Sequence, residues 1–170
     1  EVLKDTFQVL ADWKTKKGVV TVVKTVEWIN QNYAGCDLAE KVRSFIKDAY
    51  SFWGTIWVLL AGDVNVVPAR QAGVLGGPTD LYFSDLEGNW NANNNHIFGE
   101  YEDRCDFFPD LFIGRASVEN EAEAGIFIHK VLTYERNPPS DYLTRMLLLG
   151  ASLWEPYNQA HNDKEFTSRI

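Results

Sequence analysis

The side chains best equipped for chemistry in this 170-residue sequence are carboxylates and amides gathered at two places. Calcium takes about six to eight oxygen ligands, so a site for it needs carboxylates and carbonyls that converge from a loop or from strand ends. The first group joins Asp63, which ends an apolar run, to Asp106, Phe108 and Asp110. In an extended chain alternate residues point to one side, so Asp106 and Asp110 can converge while Phe108 offers its backbone carbonyl. The competing reading makes Asp63 a turn cap and Asp110 a solvated charge at a strand edge.

The second group places oxygen-bearing side chains at every second position, Asn91, Asn93 and Asn95, followed by Ile97, Gly99 and Glu100, with Glu102 and Asp103 beyond. Alternating oxygen ligands, then a main-chain carbonyl, then a glutamate follow the logic of an EF-hand calcium loop. Two departures stand out: Asn91 occupies a position where Asp is usual, and His96 replaces the glycine that permits the sharp turn. Three neutral amides keep the charge low and predict weak affinity. An asparagine-rich turn without metal is the alternative, because asparagine tolerates the left-handed conformation. Asp85 and Glu87, just upstream, could serve either group.

The cysteines carry less. Cys36 and Cys105 are too few for a disulfide framework and too far apart for a CxxC motif, so they read as free thiols. As a nucleophile Cys105 would need an activating base, and no histidine is placed by the sequence to serve it. Net charge of −8 argues against a nucleic-acid partner, which calls for a basic face. No run approaches the roughly 20 apolar residues that span a bilayer, and EVLKDTF has neither the basic nor the apolar region of a secretion signal.

The elements that must position these residues alternate between strand and helix. Leu3, Phe7, Leu10, Ala11 and Lys14 have one-sided helical spacing, with Gly18 at the stop. Val19–Val26 is β-branched and short, which predicts a strand. Asp37 and Glu40 form a capping box before a helix presenting Leu38, Val42, Phe45, Ile46, Ala49 and Trp53 on one face. Ile56–Ala61 predicts a strand buried on both faces, closed by Gly62-Asp63. A glycine-rich stretch, Gly73–Gly77, and the asparagine segment, Gly88–Gly99, read as loop. Leu111–Ala116 predicts a strand, Asn120–Asn137 a helix stopped by Pro138-Pro139, and Arg145–Ala151 a last strand. This order is that of an α/β fold with a mainly parallel sheet. A nucleotide-binding reading fails because Gly73–Gly77 leads into TDLYF and not into a helix.

Four segments in order resemble the gingipain family of cysteine endopeptidases, peptidase family C25: Leu10–Ile29, Val42–Arg70, Phe108–Ser117 and Lys130–Pro138. The resemblance implies a caspase-like three-layer sandwich whose catalytic part has two subdomains, of which residues 1–170 would form the amino-terminal one, truncated at both ends. It implies that the catalytic histidine and cysteine lie in the second subdomain, in a TGHG-like segment and at a later strand end, and neither pattern occurs in this sequence. Glu155 falls nearest to the family's glutamate that supports the catalytic histidine, and His161–Asp163 falls where the family sets its Arg or Lys preference. The family's calcium site joins the Asp that ends the GD strand, here Asp63, to a D-x-Y-x-E run before the FIGR strand, which reads here Asp106-Phe107-Phe108-Pro109-Asp110 with Asp in place of Glu.

The expectation is therefore a subdomain of a secreted or cell-surface cysteine endopeptidase. It binds calcium, is inactive alone, and cleaves protein or peptide substrate when joined to the His/Cys subdomain. A non-catalytic calcium-stabilised binding or scaffold module of the same fold is the alternative.

Overall fold

The structure, a computed structural model, describes residues 3–138 and Arg145. Contacts divide the chain into two compact units, Glu1–Leu132 and Thr133–Ile170. The first unit carries the sheet and both apolar cores.

Helix α1 (Lys4–Lys16) buries Phe7, Leu10 and Ala11, as the spacing predicts. The next segment corrects the sequence reading: Val19–Val26 is not a strand. Its backbone bonds back to α1, with Val19 N on Lys14 O at 3.0 Å and Thr21 N on the Thr15 hydroxyl at 3.0 Å. Val20 is 84% exposed. Strand propensity acts only through a neighbouring strand, and none pairs here among the described residues. Val26 instead opens helix α2 (Val26–Asn32), because the Thr25 side chain accepts from Trp28 N and caps it.

Helix α3 (Leu38–Trp53) has Asp37 as N-cap, accepting from Glu40 N at 2.9 Å, and Gly54 at φ +66° as its stop. Glu40 answers one residue earlier than a capping box requires, taking Cys36 N at 2.6 Å. Strand β1 (Trp57–Ala61) pairs in parallel with strand β4 (Phe112–Ala116), Trp57 opposite Phe112 and Ala61 opposite Ala116. Between them strands β2 (Arg70–Ala72) and β3 (Gly77–Thr79) form an antiparallel hairpin, so the glycine-rich run is its turn. Helix α4 (Glu121–Arg136) follows β4.

Side-chain alternation divides the parallel sheet into two faces. Val58, Leu60 and Ile113 pack with Ile29 of α2 and with Val42 and Ile46 of α3. Ala61 and Ala116 pack with Phe7 and Leu10 of α1 and with Ala124 and Ile128 of α4. Helices on both faces of a parallel pair give the expected α/β architecture. The run ending at Ala61 is less buried than its composition predicts: Trp57 is 61% and Phe112 67% exposed, because α1 and α4 cover that face only at its Ala61–Ala116 end. The expected strand Arg145–Ala151 lies outside the described residues, apart from Arg145 itself. Among the described residues no helix is long and apolar enough to cross a membrane.

Candidate functional site

The parallel register separates the first carboxylate group. Asp63 N donates to Val118 O at 3.1 Å, which sets Asp63 beyond the C-terminal end of β4. Asp110 precedes the same strand, its N donating to Ser84 O at 2.8 Å. The five residues of β4 stand between them and alone span about 13 Å at about 3.3 Å per residue, so the separation exceeds that. Oxygens bound to one calcium lie within about 5 Å of each other. Asp63 therefore cannot share an ion with Asp110, and the expected convergence of Asp63, Asp106, Phe108 and Asp110 does not form. The sequence reading failed because Asp63 and the 106–110 run flank opposite ends of two parallel strands, which only register reveals.

Asp63 has other partners. Asn65 donates to both of its oxygens, from the backbone at 2.9 Å and the side chain at 3.2 Å. Partial burial opposes its charge, but the bonds from Asn65 and Glu119 outweigh that and hold the carboxyl below its ordinary pKa. Glu119, hydrogen-bonded to Asp63 and facing its charge, titrates above the ordinary value. Asp106 accepts from Phe108 N at 3.0 Å, and Phe108 is 74% exposed. Asp110 accepts from Leu86 N at 2.6 Å and Glu87 N at 3.3 Å, so the 106–110 run faces the Asp85–Glu87 turn. Asp85 is buried and accepts from Gly88 N and from the Trp90 indole. Among the described residues no group of three or more His, Cys, Asp or Glu could hold a metal ion.

The asparagine segment does converge. Asn93 and Asn95 each donate a side-chain amide to the same Glu100 oxygen, at 2.6 and 2.5 Å. Asn91, Asn93 and Asn95 accept in turn from His96 N, Asn95 N and Ile97 N. Asn94 and His96 take φ of +59° and +64°, so His96 itself adopts the left-handed conformation that glycine would supply. Asp103, buried beneath, accepts from Ala92 N and Glu100 N.

One constellation had not been anticipated. Arg70 on β2 is buried and makes two bonds to Asp37, at 2.6 and 2.8 Å. Its guanidinium lies 3.7 Å from the Phe98 ring centre and 4.4 Å from that of Tyr82. The bond from Arg70 holds the Asp37 carboxyl below its ordinary range. An arginine isolated in the apolar stretch VVPAR was the one available signal. Arg70 and Asp37 share the lining of an open cavity of about 770 Å³ with Cys36, His96 and the glycines of the hairpin turn.

Neither cysteine is activated. A hydrogen bond to Glu40, burial and the nearby Asp37 charge push the Cys36 thiol above its ordinary pKa. Cys105 is pushed up to about 11, by burial first and then by Asp85 and Asp103. A nucleophilic thiol needs the opposite surroundings, a cation or a helix N-terminus that favours the thiolate. His129 lies exposed on α4. Glu155 and His161–Asp163 lie outside the described residues.

A parallel β pair carrying helices on both faces defines an α/β domain, and comparisons with known proteins give its family. The profile of peptidase family C25 matches residues 1–169, and the chain belongs to that family. Gingipain R2 of Porphyromonas gingivalis is 30% identical over 128 residues, covering 74% of this chain and 14% of the relative. Lys-gingipain of the same organism is 26% identical over 153 residues, covering 85% of this chain and 8% of the relative. Among solved structures, the complex of Porphyromonas gingivalis RgpB pro- and mature domains superposes with a TM-score of 0.60 at 26% identity, over 79% of this chain and 27% of that one. The Arg-specific cysteine proteinase gingipain R gives 0.56 at 28% identity, over 79% and 26%. The chain thus spans about a seventh or less of the curated relatives it matches and about a quarter of the solved chains.

Proposed function

We propose that this chain is the amino-terminal subdomain of a gingipain-like cysteine endopeptidase. In this reading a second subdomain supplies the nucleophile and its base, and the substrate is protein or peptide. Family membership across residues 1–169 carries the reading. The chain's own thiols support it, because both are held toward the neutral form where the chemistry requires a thiolate. The role left to these residues is scaffolding: β1 and β4 present the loops at their C-terminal ends, the edge of a parallel sheet where ligands generally bind. Secretion or surface display accompanies this reading, by analogy with the relatives. The test is to assay the purified chain on peptides in which Arg or Lys is followed by a cleavable amide bond. The expected result is no hydrolysis; thiol-sensitive cleavage abolished by Cys36→Ala or Cys105→Ala would overturn it.

Calcium belongs to the same proposal, moved to one of the two sequence clusters. The donor set at Glu100 fits a weak site: one carboxylate oxygen already gathers Asn93 and Asn95, and turning their amides toward an ion would give up the bonds their oxygens accept from Asn95 N and Ile97 N, which keeps affinity low. Asp103 is committed to backbone N–H groups and anchors the loop from below. The set holding Asp63 together with Asp110 does not fit.

A further inference from the structure

We draw no further inference here: the strongest candidate, the exposed apolar face of the parallel sheet at Trp57, Leu59 and Phe112, carries none because nothing in the structure shows what covers it.

Discussion

Arg70 and Asp37 meet through two parallel hydrogen bonds that fasten strand β2 to the N-cap of α3. The arginine side chain is 7% exposed and the aspartate 44%. Removing the aspartate charge leaves a guanidinium with little water to replace its partner. Asp37→Asn should therefore cost about 2 kcal/mol, below the range for a fully buried pair because Asp37 is half in solvent. Asparagine still caps a helix, so Asp37→Ala should cost about 1 kcal/mol more. Urea unfolding of both variants measures the two contributions separately, and equal losses would contradict the division.

The same pair gives a pH dependence of definite sign. Asp37 titrates below its ordinary value when folded, so the unfolded chain binds more protons there in acid. Its contribution is complete above about pH 5, since an unfolded aspartate titrates near about 3.9, and is lost as pH falls through the folded value. The stability gap between wild type and Asp37→Asn should shrink between pH 5 and pH 3 on that ground. A gap that is constant over this window would rule out the ion pair as its source.

Helices were legible in the sequence where packing and capping agree. Asp37, Val42 and Ile46 announce α3 through spacing and a cap that both survive into the structure. Val19–Val26 was misread because composition reports fitness for a sheet but not the presence of a partner strand. The candidate metal residues divide by the same logic. Asn93, Asn95 and Glu100 meet within one loop, where spacing alone brings them close. Asp63 and Asp110 depend on the register of two strands about fifty residues apart, which spacing does not encode. The Arg70–Asp37 bond, joining a hairpin to a helix cap, was equally hidden.

Gly62 turns the chain out of β1 with φ +150°, a conformation open almost only to glycine. A Cβ there would stand 2.6 Å from the Val66 side chain. Gly62→Ala should destabilise by about 3 kcal/mol, from backbone strain and overlap together. Val66→Ala keeps the Cβ at 2.6 Å and removes only the Cγ contacts, whereas Val66→Gly removes both, so Gly62→Ala should be rescued further by Val66→Gly than by Val66→Ala once each is compared with its own Val66 single variant. If Gly62→Ala melts like wild type, the strained turn is wrong.

Calcium should raise the melting temperature through Glu100 and not through Asp63. For a dissociation constant near about 1 mM, 10 mM calcium stabilises by about 1.4 kcal/mol, or about 3–5 °C for a chain of this size. Glu100→Gln removes the carboxylate charge that gathers Asn93 and Asn95 and should abolish the shift, while Asp63→Asn should leave it intact. A shift lost in Asp63→Asn and kept in Glu100→Gln would return the site to the end of β1.

The thiols test the division of labour proposed for the peptidase. At pH 8, a group with a pKa of about 11 is only about 0.1% thiolate, so Cys105 should alkylate with iodoacetamide far more slowly than a free cysteine. Its rate should keep rising about tenfold per pH step through pH 9, since the thiolate fraction grows without reaching a plateau. Cys36, raised by its Glu40 hydrogen bond, should speed up in Glu40→Gln, where the carboxylate charge is gone. A catalytic cysteine paired with an imidazole would behave oppositely, reacting fast near neutrality with a plateau in rate. Finding that plateau at either residue, removed by His96→Ala, would place a working dyad in this chain and defeat the view that its nucleophile comes from elsewhere.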